Sequence, residues 1–251
     1  MQDFVQFAER LAQASGEVIK QYFRAELVVD SKGDGTPVTI ADKKSEMVMR
    51  EMIQKEFPQH GILGEEFDDY QADAEYQWIL DPIDGTKTFV AGVPLFGTLI
   101  GLLKNGKPIL GVINNPIIDQ FLIGANGVTR LNGKKVQVRL CDSIEAATVL
   151  CTSHWSVEKY HDMVAYEKLT RRAKLYRSWG DCYGYYLVAT GYADVMLDPA
   201  MYPWDLIPLV PIIEGAGGTI TDWYGNDPIN GQGAVATTGG IHDEVIRALN
   251  P

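Results

Sequence analysis

Three short stretches of this chain carry carboxylates at spacings that could do chemistry. Asp81-Pro82-Ile83-Asp84-Gly85-Thr86 follows an apolar run, Trp78-Ile79-Leu80, and sets two acids three residues apart, then a glycine and a hydroxyl. Gly64-Glu65-Glu66 ends another apolar run, and Asp205 follows Tyr202-Pro203-Trp204. A fourth acidic site, Asp42, comes soon after Pro37-Val38-Thr39. Two carboxylates held at one point repel unless a divalent cation neutralises them. Oxygen donors without His or Cys favour Mg2+ over Zn2+. Gly85 and Thr86 open a segment that could form one helical turn, whose free amides suit a phosphate. Carboxylates for metal, amides for phosphate and a hydroxyl beside both point to metal-assisted hydrolysis of a phosphate ester.

Each acid also has an ordinary structural reading. Asp-Pro and Asp-Gly are common turn pairs. Asp205 fits a helix N-cap, and Glu65-Glu66 fits a solvated turn. Asp42 fits a first-turn acid that complements a helix dipole. The functional reading prevails because all of them occur in one chain, each at the end of an element.

Those ends imply the elements behind them. Phe4, Phe7, Ala8, Leu11, Ala12, Ala14, Val18 and Ile19 predict a helix over 3–23. Residues 31–37, with two glycines and a proline, predict a loop. Thr39 caps a second predicted helix that runs to Phe57, with Met47, Val48, Met52 and Ile53 on its buried stripe. Strands are predicted at 61–64, 77–81, 96–104, 108–114, 119–124 and 128–138, separated by glycine turns such as Asn105-Gly106 and Asn126-Gly127. Pro82 should stop the 77–81 strand and turn both of its acids toward one point. This block reads as an antiparallel meander flanked by helices.

Beyond a soft boundary near 140 the pattern changes to mixed β and α. Strands near 147–152, 174–178, 194–197 and 234–237 alternate with helices near 156–170, 182–191, 205–216 and 241–249. Pro211 should kink the 205–216 helix, whereas Pro208 falls in its first turn. The halves 1–140 and 141–251 are expected to form one compact unit, with the metal and phosphate motif in the first half. The second metal ligand and the specificity segment then fall in the second.

Composition narrows the class. With 251 residues, 46% hydrophobic and 22% charged, the chain can build a large core. A net charge of −11 argues against direct nucleic-acid binding and against a polybasic membrane surface. The three cysteines, Cys141, Cys151 and Cys182, form no CxxC pair and suit reduced thiols in a cytoplasmic protein. The first residues lack the apolar core of a secretion signal, and no run of 18 apolar residues exists to span a membrane. His60, His154, His161 and His242 lack metal-ligand spacing.

The joint pattern GEE, WILDPIDGT, WD and EGAGG resembles the inositol monophosphatase family of Mg2+-dependent, lithium-sensitive phosphatases, over nearly the whole chain. The resemblance implies a layered αβαβα sandwich and usually a homodimer. It implies that Glu65, Asp81, Asp84 and the Ile83 carbonyl bind metal, and that Asp205 holds a second ion with Asp81 and Asp84. Asp42 corresponds to an acid that supports a third ion. Thr86, with Glu65, would aim the attacking water, while Gly85 and Thr86 hold phosphate through their amides. Glu214-Gly215-Ala216-Gly217-Gly218 matches the family's EAGG signature with a glycine inserted, and Glu214 reads as structural. The implied mechanism is attack by a metal-activated water on a monoester clamped by two ions roughly 3.5–4 Å apart, with no covalent intermediate.

Residues 176–223 and 92–103 resemble the histidinol-phosphate phosphatase branch more than inositol-directed members. That branch carries Gly-Asp-Cys-Tyr, here Gly180-Asp181-Cys182-Tyr183, where inositol enzymes carry small neutral residues. A carboxylate at the leaving-group end favours a cation over a neutral polyol. Asp181 and Asp198, seven residues before Asp205, are the candidate substrate contacts. Their structural alternatives are a helix cap and an Asp-Pro turn. The leading expectation is therefore a histidinol-phosphatase of histidine biosynthesis. An inositol-1-phosphate or broad sugar-phosphate phosphatase is the alternative, and an RNA- or ribosome-associated regulatory member is a reading of a different class.

Overall fold

The computed structural model of the chain describes residues 1–25, 29–31 and 37–251. The chain opens with α1 (Gln2–Tyr22), the strands β1 (Val29–Ser31) and β2 (Pro37–Thr39), and α2 (Ile40–Glu56). Next come β3 (Gly61–Gly64), β4 (Tyr76–Asp84) and the short α3 (Thr86–Val90). A run of strands follows: β5 (Gly97–Lys104), β6 (Lys107–Asn115), β7 (Gln120–Ala125), β8 (Val128–Leu131) and β9 (Lys134–Lys135). The remaining part holds β10 (Thr148–Cys151), α4 (Val157–Tyr160), α5 (Met163–Arg172), β11 (Leu175–Arg177) and α6 (Asp181–Ala189). It closes with β12 (Val195–Asp198), α7 (Pro203–Leu206), α8 (Leu209–Gly215), β13 (Gly218–Thr221), β14 (Ala234–Thr238) and α9 (His242–Leu249).

Two sheets organise these elements. Strands β3 to β9 form a seven-stranded sheet in chain order, antiparallel except for the parallel β3–β4 pair. The second sheet runs β11-β10-β12-β14-β13, parallel on its β11-β10-β12 side and antiparallel beyond. Alternation along each strand feeds two cores. In the second sheet Val149, Cys151, Val195, Leu197 and Val235 face Tyr166, Leu169, Val245 and Leu249 of α5 and α9. Leu150, Met196, Ala234 and Ala236 face the other way, onto α6 and α8. In the first sheet Trp78, Leu80, Leu102 and Val112 pack under Phe7, Leu11, Met49 and Ile53 of α1 and α2. Leu99, Ile113 and Leu122 join the central core with α6 and α8. The result is five layers, αβαβα. Central strands covered on both faces read as continuous apolar runs, which is why β5 is buried from Gly97 through Leu103.

Several local expectations change. Of the predicted α2 stripe, Ile53 is buried and Val48 and Met52 pack partly buried against the core, but Met47 is 46% exposed, and Asp42, Ser45, Glu46 and Met49 are buried beside them. Periodicity scored on apolar residues alone missed a polar face that turns inward toward other carboxylates. The strand predicted at 128–138 folds back at Asn132-Gly133 into β8 and β9. The helix predicted at 156–170 divides at His161, where the backbone is extended and Asp162 caps α5 through the amides of Val164 and Ala165. Of the loop predicted at 31–37, residues 32–36 lie outside the described residues, and the flanking Ser31 and Pro37 pair with each other in β1 and β2. Strand β13 was not anticipated, because its four residues follow directly on the glycines that end α8. No helix among the described residues is long and apolar enough to cross a membrane.

Candidate metal and phosphate site

Pro82 does not end β4. The strand continues to Asp84, with Asp81 opposite Leu99 and Asp84 opposite Gly97, so it carries one extra residue across that interval. In a regular strand, residues three apart point to opposite faces. A single-residue bulge restores the parity and aims both carboxylates to one side. The bulge is held from behind. Thr98 Oγ1 donates to the Pro82 carbonyl at 2.9 Å and meets Ser15 Oγ from α1 at 3.2 Å. The Ile83 amide donates to Asp81 Oδ1 at 2.9 Å. Ser15 and Thr98 are fully buried, and only a hydroxyl interrupting an apolar face hinted at them in the sequence.

Asp205 reaches the same point from the far half of the chain. One carboxylate oxygen each from Asp81, Asp84 and Asp205 lie within 4.8 Å of one another. The approach depends on glycines in register on three neighbouring strands, Gly101 opposite Gly111 and Gly111 opposite Gly124. A methyl group on Gly111 would overlap the Pro208 carbonyl, and one on Gly124 would overlap the Pro211 carbonyl. The missing side chains let the α7–α8 backbone lie directly on the sheet. The helix predicted over 205–216 accordingly starts earlier, at Pro203, and divides at Ile207-Pro208. Pro211 then falls in the first turn of α8, where proline is tolerated, and the kink expected at Pro211 sits at Pro208 instead. Asp205 accepts the Tyr202 amide at 3.0 Å through Oδ2, so its capping role coexists with a place in the cluster.

Glu65 follows β3, the parallel neighbour of β4. It interacts with the carboxyls of Asp81 and Asp205. Glu46 of α2, fully buried, underlies this turn: it accepts the Glu66 amide at 2.9 Å and Arg50 Nε at 2.7 Å. Arg50 in turn donates to the carbonyls of Phe67 and Asp68. Neither Glu46 nor Arg50 was singled out in the sequence, since an i,i+4 pair on a helix usually faces water. Asp42 is also buried. Its Oδ2 accepts from the Thr39 amide and hydroxyl at 2.8 and 2.6 Å, whereas Oδ1 is buried with no hydrogen-bond partner. Thr39 caps α2 as expected, and its Oγ1 accepts the Ala41 amide.

Gly85 precedes α3 with φ +91°, a left-handed conformation suited to glycine. Thr86 opens that helix, and its hydroxyl donates to the Ile83 carbonyl at 3.1 Å. Asp181 lies across from Gly85 and accepts from the Thr88 hydroxyl at 3.3 Å. The helix-cap reading of Asp181 fails: α6 begins after Gly180 with no side-chain cap, and Asp181 itself has φ +50°. Its neighbour Cys182 donates its amide to Asp84 Oδ2. Asp198, the last residue of β12, is buried and accepts from the Tyr185 hydroxyl at 2.9 Å. Asp42, Glu65, Asp81, Asp84, Asp181, Asp198 and Asp205 thus lie close enough for their charges to act on one another, whereas Glu214 lies near Asp227. The four histidines pack elsewhere: Trp78 Nε1 donates to His60, His161 stacks on Trp223, His242 bridges Thr221 and Thr237, and His154 meets the Tyr176 hydroxyl. Cys141, Cys151 and Cys182 are buried free thiols.

So many acids in one recess change each other's ionisation. Burial first, then the charges of Glu65, Asp84 and Asp205, raise Asp81 well above the carboxylate range. Burial, then Asp181 and Asp205, do the same to Asp84. Burial pushes Asp205 up to about 7, and Asp198 likewise to about 7. Burial also raises Asp42 and Asp181. Carboxylates crowded in this way at neutral pH form an electrostatic environment that favours a bound cation. The donor set of oxygens alone, the close trio and the unpartnered Asp42 Oδ1 fit a hard divalent ion.

Crowded acids suited to a metal ion, a short helix start beside them and a layered αβαβα frame fit a metal-dependent phosphomonoesterase. The chain belongs to the inositol monophosphatase family, whose model matches residues 1–251. It is 45% identical over 226 residues to the chloroplastic bifunctional phosphatase IMPL2 of Arabidopsis thaliana, covering 88% of this chain and 65% of that protein. It is 40% identical over 248 residues to the histidinol-phosphatase of Chlorobaculum parvum, covering 98% and 96%. Among solved structures, an inositol monophosphatase from Zymomonas mobilis superposes with a TM-score of 0.88 at 35% identity, covering 100% and 98%.

Proposed function

We propose that this enzyme is a Mg2+-dependent histidinol-phosphate phosphatase. The observation that carries the reading is the pair Asp181 and Asp198. Both lie close enough to the Asp81–Asp84–Asp205 trio for the charges to act on one another, and Asp181 supplies a carboxylate where inositol-directed relatives carry small neutral residues. Histidinol phosphate brings an ammonium and a basic imidazole to the leaving-group end, and carboxylates favour such a group through charge-assisted hydrogen bonds. The 40% identity to a histidinol-phosphatase over nearly the full length of both chains supports it.

The chain's own groups divide the work. Glu65, Asp81, Asp84, Asp205 and the Ile83 carbonyl hold the metal ions, with Asp42 supporting a third. Bound Mg2+ supplies Lewis-acid polarisation of the phosphoryl group, a more acidic water and charge stabilisation for the departing alkoxide. Thr86, already anchored on the Ile83 carbonyl, and Glu65 orient the attacking water in line with phosphorus. The amides of Gly85 and Thr86 hold the phosphoryl oxygens. Asp181 holds the cationic end of the substrate.

The 35% identity to an inositol monophosphatase favours a second reading, a polyol or sugar phosphate as substrate. One assay separates them. Phosphate release with Mg2+ should give a kcat/KM for histidinol phosphate at least about tenfold above that for inositol 1-phosphate, the worth of one charge-assisted hydrogen bond. Equal or higher efficiency on inositol 1-phosphate overturns the proposal.

A further inference from the structure

Glu46 is a fully buried acid that the chemistry described above does not use. It lies on α2 one turn after Asp42, and both of its oxygens are committed. Oε2 accepts the Glu66 amide at 2.9 Å, and Oε1 accepts Arg50 Nε at 2.7 Å. The Arg50 side chain is itself only 11% exposed. Its other two nitrogens donate to the carbonyls of Asp68 and Phe67 at 2.9 and 3.0 Å, and the guanidinium lies over the Phe67 ring, 5.6 Å from its centroid. A planar fork of five donors can hold three acceptors in a fixed geometry, which a single ammonium cannot.

The pair closes on one residue, Glu65. The Glu65 amide donates to the Leu80 carbonyl of β4 at 3.1 Å, directly before Asp81. The next amide, of Glu66, donates to Glu46. Both peptide groups that flank Glu65 are thus tied, one to the strand that carries Asp81 and one to the helix that carries Asp42. The turn also rests directly on the buried acid, since a methyl group on Gly64 would overlap the Glu46 carboxylate. A buried ion pair seldom adds net stability, because desolvating two charges offsets their attraction. What this pair adds is geometric: it fixes the course of the backbone over 64–68, and with it the point from which the Glu65 side chain departs.

We propose that Glu46 and Arg50 are positioning residues for the metal site: as one buried unit they set the Glu65 carboxylate against Asp81 and so set the affinity for Mg2+. The inference rests on the reading of Glu65 as a metal ligand. Glu46 and Arg50 act through the backbone of 64–68 and hold no ion themselves.

The test follows Mg2+ binding by the full chain without substrate, as the rise of Tm with Mg2+ concentration. Glu46→Gln keeps volume and leaves one accepting oxygen for two donors. The Mg2+ concentration that produces a given rise should increase by about ten- to a hundredfold, the usual loss when a group that holds a metal ligand in place is removed. Arg50→Lys keeps a cation beside Glu46 but gives up the fork. It should shift the dependence in the same direction, and it carries the comparison if the glutamine variant does not fold. Arg139→Gln is the control. It breaks another pair with a fully buried carboxylate, Arg139–Asp194, at the opposite end of β12 from Asp198. It should lower the metal-free Tm and leave the Mg2+ dependence unchanged. The parent's Mg2+ dependence in either Glu46→Gln or Arg50→Lys, or an equal shift in Arg139→Gln, overturns the proposal alone. A parent whose Tm does not respond to Mg2+ brings down the metal reading, and this proposal with it.

Discussion

The proposed metal end of the site and its proposed leaving-group end are built in opposite ways. Asp81, Ile83, Asp84, Gly85 and Thr86 form one continuous stretch, shaped by a single bulge and backed by Thr98 and Ser15. Asp181 and Asp198 sit at the start of α6 and the end of β12, where the Asp181 amide donates to Thr152 after β10 and Asp198 accepts from Tyr185 on α6. The first end has its geometry fixed largely by local covalent connection. The second is fixed by hydrogen bonds between separate elements. A substitution between elements can therefore alter which ester is accepted without touching the metal carboxylates, and a bulge is hard to alter without losing the reaction itself. Asp205 stands between these cases, a proposed metal ligand delivered by a remote segment over a glycine track.

The most damaging test strikes the metal end. Asp84→Asn or Asp205→Asn should reduce kcat by about a thousandfold or more, because the site loses a charged oxygen but no volume. The melting temperature without metal should hold or rise as carboxylate repulsion is relieved. Turnover within about tenfold of the parent at saturating Mg2+ would show that the trio is not the metal site.

A second substitution asks whether Asp205 depends on its distant seat. Gly111→Ala places a methyl group against the Pro208 carbonyl. The α7–α8 segment must lift, and a displacement of about 1 Å at a catalytic position can cost about a hundredfold. The expected result is a fall of that order in kcat with a raised Mg2+ requirement, measured by titrating the metal. Normal turnover with a normal requirement would mean that the contact has slack.

A smaller and selective effect is expected at the leaving-group end. Asp181→Asn should lower kcat/KM for histidinol phosphate by roughly ten- to a hundredfold while hardly changing that for glycerol 2-phosphate. Equal losses would place Asp181 with the metal end and erase the distinction between the two regions.

The smallest expected effect is on stability against pH. Asp198 and Asp205, near 7 in the folded chain, lie above the ordinary value of about 3.9 for an unfolded aspartate. Between those values the folded chain binds more protons than the unfolded one. Its stability without metal is therefore largest below the unfolded pKa and is lost as pH rises through about 7. Calorimetry in chelator should show Tm rising by at least about 3 °C from pH 8 to pH 6. Mg2+ should flatten that slope by keeping the carboxylates ionised. A Tm that falls over the same interval in chelator would contradict the crowding of acids in the recess.

The reach of the sequence follows the same divide. The acids and the hydroxyl of 81–86 were legible because they are contiguous and end an apolar run, and Thr39 was legible as a cap because capping is set by residues within one turn. Helix α1 was legible because Phe7, Leu11 and Ile19 repeat on one face. The inward polar face of α2 was not, because Glu46 and Arg50 acquire meaning only from the turn they support. The division of the 205–216 helix at Pro208 was equally hidden, since it depends on three glycines contributed by three strands. Residue types and local spacing determined what chemistry the chain could perform, because ligand chemistry and short-range backbone preference belong to the residues themselves. Tertiary structure alone decided that Asp205 meets Asp81 and Asp84, and that the Asp181 amide meets Thr152. Those distances are set by how layers pack, which is a property of no single segment.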